Sequence, residues 1–474
     1  MSLSHVLGSR RIALLRQRLH LLLETAPAQG LLSITLELDS GQDDWLSNLP
    51  TLDLCRTHTT YWARPNCADH RLALGCAMLF TTSGTARFSA LQAAFSGLAP
   101  GWQHDDSQNT GATPSAHIGF AFDEEAQDNL PNARLVVPAI LLQNRHGRST
   151  ATFSCAVRDA DEAIAHWLAE LHACDDTAAS AFMPCKLQRR ATPLADRAFL
   201  ARARAALADI AKGQLEKIVL TRSVHFDAAE PLPVSRLIAT LGHHHPECTL
   251  FSIGHHGQGF VGATPERLVA LERGMVHADA LAGTAWLSTA PTDNQPGSLK
   301  LQDDKNSREQ QLVVDAVRAA LAPLCVVLEQ AQAPEIMQLR ELQHLRTGIA
   351  GRVCTEVGLF DLIARLHPTP AVGGTPGAAA RHWLTAHGDQ RGAWYTGGIG
   401  WISRDGDGDI MVALRCAYIS GKQAELFAGA GIVAGSDPAQ ELAETEAKLG
   451  TIIGALQHLR PHDAAKNPGK TGTQ

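Results

Sequence analysis

The chain lacks any run of basic residues, and its 474 residues carry a formal charge of −7 at pH 7. Nucleic acid, which needs a concentrated positive face, is therefore not an expected partner. No apolar stretch approaches the ~20 residues of a membrane span, so no membrane association is expected either. The ten cysteines stand singly, with no C-x-x-C pair and no zinc spacing. That pattern fits reduced, buried thiols and a cytoplasmic protein better than a disulfide framework. There is no Walker-type or Rossmann glycine pattern, and no internal repeat in the first half. A small-molecule ligand is the default expectation.

What is present is enough apolar residue, 45%, to build a large core. A prior of ~150 residues per domain suggests about three domains, although large α+β enzymes often form one body. Ile12, Leu15, Leu19 and Leu22 recur at helical spacing with arginines between them, as an amphipathic helix rather than a signal peptide does. Short strands are expected at Leu32–Leu38, Leu72–Phe80, His117–Phe122, Arg134–Leu142 and Ala151–Val157, then a helix at Asp159–Ala173. Asp175–Thr192 is aperiodic and reads as a linker. The second half suggests a helix ending near Gly213, a strand from Lys217 to Val224, and a hairpin of Thr249–Ile253 with Gly259–Gly262. Helices at Asn306–Leu321 and Phe360–Arg365 follow, then strands at Trp394–Ser403, Ile410–Ile419 and Glu425–Ala428. Strands and helices come in runs, which predicts an α+β fold with mainly antiparallel sheets. The polar tail 461–474 is expected to be disordered.

Residues able to do chemistry gather in the second half. Gly429-Ala430-Gly431 reads as a small-residue loop leading into a helix capped by Asp437, with Pro438 at its first position. On that helix Glu441, Glu444 and Lys448 share a face, offering hard oxygens to a cation such as Mg²⁺ or simply a solvated face. Lys217 opens an apolar strand: turned inward it would be a candidate base, turned outward a snorkelling strand end. Glu266, after a proline in a turn, is a candidate acid or the ion-pair partner of Arg267. Glu309 sits in the first turn of a helix, where the dipole alone favours it. Arg415 lies in the apolar stretch Val412–Tyr418, and a buried guanidinium needs a carboxylate, internal or from a substrate. The histidine runs at His243–His245 and His255–His256 lack metal-site spacing.

Taken together these segments resemble the chorismate-utilising enzymes, the family of isochorismate synthase, salicylate synthase, anthranilate synthase component I and aminodeoxychorismate synthase. The matching blocks are Lys217–Arg222 (Lys-Ile-Val-Leu-Thr-Arg), Ala263–Leu268 (Ala-Thr-Pro-Glu-Arg-Leu), Ala280–Thr284, Asp304–Glu309, His344–Thr347, Leu366–Pro376, Tyr395–Gly398, Leu414–Arg415 and Gly429–Lys448. They follow the family's order over about 215–450. The stretch 2–194 is fainter in likeness, chiefly at Tyr61–Pro65, which looks like isochorismate synthases of menaquinone biosynthesis. The resemblance implies one catalytic body: two large, mainly antiparallel sheets with helices outside. Within it 1–190 would be a β-rich part without catalytic motifs and 191–460 the chorismate-binding part.

For the site, the resemblance implies that Lys217 activates water for attack on C2 of chorismate and that Glu266 protonates the departing C4 hydroxyl. Glu309, Glu441 and Glu444 would surround Mg²⁺. Tyr395, Arg415 and the N–H groups around Gly429, Ala430 and Gly431 would bind the enolpyruvyl carboxylate. His344, Thr347 and a Gly283-Thr284 turn would line the ring pocket, with Lys448 beside substrate or Glu444. Leu366–Pro376 reads Leu-His-Pro-Thr-Pro-Ala-Val-Gly-Gly-Thr-Pro, the form seen in isochorismate synthases, rather than the Phe-Pro-x-Gly pattern of aminating members. Isochorismate synthase is thus the expected activity, isomerase in class, with no glutamine amidotransferase subunit and a monomer or weak dimer. Salicylate synthase, which also eliminates pyruvate, is the alternative; an aminating component or a non-catalytic chorismate binder stands below it. Menaquinone and siderophore pathways are both open.

Overall fold

Two breaks in the apolar pattern send the chain from one sheet to another. In the computed structural model, which describes residues 3–39, 44–125, 130–174, 186–286, 304–331, 333–339 and 342–459, the expected strand Arg134–Leu142 is two: Ala133–Val137 in the smaller sheet and Ile140–Arg145 in the larger. Pro138 separates them and has no N–H for a ladder bond. Likewise Leu72–Phe80 divides into Asp69–Leu74 and Met78–Thr82, around Gly75 at φ +65°. Another such crossing, from Gly408–Val412 in the smaller sheet to Cys416–Ser420 in the larger, passes through Arg415 at φ +46°. Arg415 is therefore in a crossover, not within a strand as its apolar neighbours suggested.

The larger sheet has 13 strands and the smaller ten. Among the described residues all pairings are antiparallel except Leu31–Leu38 with Trp102–Asp105. Across the larger sheet Lys217–Ala228 pairs with Gln423–Val433, then come Cys416–Ser420, Gln258–Thr264, Thr249–His255 and Thr60–Arg64. Strands from the first 190 residues therefore extend sheets begun by the second half. The α+β architecture with two large sheets and external helices is as the resemblance implied. The expected linker is shortened by a strand at Leu187–Arg189, and its stretch 175–185 lies outside the described residues, as does the tail 461–474. The helix expected from Asp159 begins at Ala163. The strand expected from Trp394 begins at Gly398, after a turn over Trp394–Gly397. The nine described cysteines are all free thiols. Among the described residues no helix is long and apolar enough to cross a membrane.

Pro438–Gln457 shows how local sequence positions the site. Asp437 Oδ1 accepts from the N–H groups of Ala439 (3.0 Å) and Gln440 (2.9 Å), with Pro438 following as the cap expects. Such a cap contributes about 1 kcal/mol. Leu449, Ile452, Ala455 and Leu456 bury one stripe of this helix. Glu441 and Thr445, one turn apart on the buried side, are the polar exceptions. The preceding loop, by contrast, is not a loop: the strand Gln423–Val433 runs through Gly429-Ala430-Gly431.

Candidate active site

Gly431 lies opposite Val219, and Gly429 opposite Thr221, in the ladder with the Lys217 strand. The N–H groups of Val219 and Thr221 turn away, to Gly373 O (2.9 Å) and to Asp389 Oδ2 (3.0 Å). These are therefore the non-hydrogen-bonded pairs of the ladder, and the N–H groups of Gly429 and Gly431 point to the opposite edge. The Gly429 carbonyl on that edge accepts from Lys448 Nζ at 2.9 Å. That edge borders a cavity lined by residues of both sheets, among them Val219, Glu266, Gly283, Glu309, His344, Tyr395, Arg415, Gly429, Gly431, Glu444 and Lys448, with about 690 Å³ of free space including its mouth. A Cβ on Gly431 would stand 2.5 Å from Glu309 Oε1 and 3.1 Å from Lys217 Cε, so only glycine lets those side chains meet here.

Lys217 is 1% exposed, and its Nζ is 2.9 Å from Glu309 Oε1. Burial pushes the Glu309 carboxyl up, but Lys217 first, then Lys448 and Lys305, together hold the group below its ordinary value. Glu266 behaves oppositely. It sits in the turn between Gln258–Thr264 and Arg267–Glu272, its N–H donating to Thr264 Oγ1 (3.3 Å) and its carbonyl accepting from Val412 N–H (3.0 Å). Burial raises its carboxyl to about 8; Lys217 opposes this, Asp279 adds to it, and Lys448 opposes it more weakly. The cavity thus holds a carboxyl that keeps its proton at neutral pH, electrostatically coupled to a buried lysine.

The opposite wall is built on a bulge. In Met275–Trp286 the register shifts between Ala282 and Thr284, with Gly283 at φ +68°, so the expected Gly283-Thr284 turn is a kink within a strand. The Gly283 carbonyl accepts from His344 Nδ1 (3.1 Å), and Arg415 donates from Nη2 to His344 Nε2 (2.7 Å). Because arginine only donates, His344 is the neutral Nδ1–H tautomer. Burial first, then Arg415 and Lys448, push its pKa well below the ordinary range, in agreement with that assignment. Tyr395 stacks on Phe427 (centroids 5.4 Å apart), its hydroxyl 3.1 Å from where a Gly429 Cβ would stand. Burial pushes its phenol far above the ordinary value.

Each of the three expected metal carboxylates holds a lysine. Besides Glu309 with Lys217, Glu441 Oε1 is 2.6 Å from Lys305 Nζ and Glu444 Oε1 is 2.7 Å from Lys448 Nζ. Among the described residues no three His, Cys, Asp or Glu side chains converge tightly enough to hold an ion as they stand. Their chemistry nevertheless suits a hard dication. Glu441 is 2% exposed, and its carboxyl is raised by burial and by repulsion from Glu444. Burial lowers the Lys305 ammonium, but Glu441, Glu309 and Glu444 together raise it above its usual value. One lysine thus stands in the combined field of all three carboxylates.

Of the residues singled out from sequence, most border this cavity. Lys217 and Glu441 are not in its lining: Lys217 meets it through Glu309, and Glu441 is held by Lys305. Ala430 is outside it too: its side chain is buried in the apolar core behind the strand, and its N–H faces Leu220 in the ladder. Thr347 is buried outside the lining, its Oγ1 accepting from Gln310 Nε2 (2.9 Å), which also donates to Ala280 O (3.0 Å). The Thr284 side chain lies outside the described residues. Ala371, Val372 and Thr396 line the cavity, and Lys305 holds Glu441, without any of the four having been given a role of its own from sequence. Lys305 lies inside the matched block Asp304–Glu309, but its partner 136 residues away gave no local signal.

A buried protonated acid, a buried lysine and an arginine–carboxylate–lysine shell are suited to acid–base chemistry on a small anionic substrate. Residues 17–457 match the family model described as chorismate binding enzyme, and the chain belongs to that family. It is 32% identical, over 95% of its length and 97% of the relative's, to the salicylate biosynthesis isochorismate synthase of Pseudomonas aeruginosa. With isochorismate synthase MenF of Bacillus subtilis it shares 35% identity over 53% of this chain and 54% of that protein. The structure of the menaquinone-specific isochorismate synthase MenF of Escherichia coli superposes with a TM-score of 0.75 at 26% identity, covering 93% of this chain and 98% of that one.

Proposed function

We propose that the chain is an isochorismate synthase, converting chorismate to isochorismate by attack of water at C2 and loss of the C4 hydroxyl. The observation that supports this most is the pairing of Glu266, in the cavity wall and held protonated to about pH 8, with buried Lys217, which meets that cavity through Glu309 at 2.9 Å. Lys217, an ammonium beside Glu309 at rest, must first release that proton; it then takes one up from the attacking water, and Glu309 at 2.9 Å stabilises the ammonium that forms again. Glu266 gives its proton to the C4 oxygen, which leaves as water. Arg415, oriented by His344, and the outward N–H groups of Gly429 and Gly431 bind the enolpyruvyl carboxylate, with the Tyr395 hydroxyl beside them. Glu309, Glu441 and Glu444 would hold Mg²⁺, which when bound neutralises the ring carboxylate. The Leu366–Pro376 block lacks the aminating pattern, so the enzyme acts without a glutamine amidotransferase subunit.

Purified protein incubated with chorismate and MgCl₂, with products separated by chromatography, tests this reading. Isochorismate with little salicylate is the expected result. Salicylate with equimolar pyruvate would instead make it a salicylate synthase, and anthranilate in the presence of ammonia an aminating member.

The metal placement has its own check. Lys305 must give up Glu441 when a cation enters, so Lys305→Met is expected to bind Mg²⁺ about tenfold more tightly in calorimetric titration, ~1.4 kcal/mol. Equal or weaker binding would count against an ion among these three carboxylates.

A further inference from the structure

Behind the Tyr395 wall lies a second buried ion pair that the chemistry above does not use. Asp389 and Arg391 have side chains 0% and 1% exposed, with Arg391 Nε donating to Asp389 Oδ1 at 3.1 Å. The guanidinium carbon lies 3.6 Å from the centroid of the Phe122 ring, which orients the guanidinium. Its remaining donors go to three separate segments: Nη1 to Val372 O (2.7 Å) and Thr396 Oγ1 (2.8 Å), Nη2 to Val219 O (3.1 Å). Val219, Val372 and Thr396 all line the catalytic cavity. Asp389 in turn accepts from the N–H of Thr221 (3.0 Å), from Thr221 Oγ1 (2.9 Å) and from Arg202 Nη1 (2.9 Å). Arg202 Nη2 also donates to Thr221 O (2.8 Å).

We infer that Arg391, clamped by Asp389, is a positioning residue that sets the substrate-binding wall by fixing the Lys217 strand, the Ala371–Val372 loop and the Tyr395–Thr396 turn relative to one another. These three segments are far apart in sequence, and no ladder joins all of them. A single rigid fork can span them because its planar N–H groups point in different, fixed directions. The Asp389 carboxylate compensates the buried charge, as an ion in this environment requires. The turn it holds contains Tyr395, a carboxylate-binding group, whereas its bond to the Lys217 strand is at Val219, two residues past the lysine, so a displaced fork acts first on substrate binding.

The inference rests on chorismate being the substrate. Arg391→Lys keeps the charge beside Asp389 but places one ammonium where a three-way fork stood. The expected result is a KM for chorismate raised at least about tenfold, since misplacement of order 1 Å in positioning groups is costly. kcat should stay within about threefold, and the fall of activity near pH 8 should not move. Thr396→Val, which removes one acceptor of the fork with little change in shape, should raise KM in the same direction. A folded Arg391→Lys enzyme with unchanged KM would overturn the inference, and so would a loss confined to kcat. Wild-type protein that makes no product from chorismate would overturn the substrate reading itself, a result distinguishable from either.

Discussion

Glu266→Gln is expected to lower kcat at least ~10²-fold, the usual scale for a positioned general acid, while making the protein more stable at alkaline pH. The two effects have one origin. Burial holds the Glu266 proton to about pH 8, against an ordinary value of 4.5. Between those values the folded chain keeps a proton that the unfolded chain releases, so stability falls as pH rises through the window and levels off above about 8. Glutamine does not titrate. The variant should therefore match the wild type below pH 4.5 and exceed it by on the order of a few kcal/mol above pH 8. Urea unfolding of both proteins at pH 4, 6 and 9 checks this. In the wild type kcat/KM should decline as pH rises through about 8, where the acid loses its proton. A Glu266→Gln enzyme with near-normal turnover, or no pH-dependent stability difference, would remove Glu266 from the acid role.

Lys217→Ala is expected to lower turnover by at least ~10²-fold and, unlike Glu266→Gln, to destabilise. Removing the ammonium leaves Glu309 buried without the partner 2.9 Å away. Breaking a buried pair in this way costs about 3–5 kcal/mol. If Glu309 is also a metal ligand, MgCl₂ should restore part of that loss in the variant and stabilise the wild type less. Thermal unfolding with and without MgCl₂ separates these contributions, and chorismate binding by calorimetry shows whether the folded variant keeps its site. Near-normal activity in Lys217→Ala would assign the base to another group.

The second half of the chain announced its chemistry because the reacting groups sit in short local blocks: Lys217 at a strand start, Glu266 after a proline, and Glu309 near a helix start, in the second turn rather than the expected first because the helix begins at Asp304. Helical periodicity also put Glu441, Glu444 and Lys448 on one face, and the Lys448–Glu444 pair is present at i, i+4. What could not be read locally were partners across the fold. Lys305 with Glu441, Arg415 with His344 and Arg391 with Val219 join residues 136, 71 and 172 positions apart. Gly429-Ala430-Gly431 looked like a loop because three small residues resemble a turn. Pairing with Val219–Thr221 overrode that propensity, and the strand's alternation then turned Gly429 and Gly431 to the cavity edge and Ala430 away. The sheet changes at Gly75, Pro138 and Arg415 were hidden because apolar residues continue through each break, serving one core before it and another after it.

The most direct test of the account is the origin of the new hydroxyl. Chorismate incubated with the enzyme and MgCl₂ in H₂¹⁸O should give isochorismate carrying one ¹⁸O, at C2, by mass spectrometry, since the oxygen comes from the water activated by Lys217 and the C4 oxygen departs. Isochorismate without label, or no isochorismate at all, would contradict the assigned activity and its mechanism together.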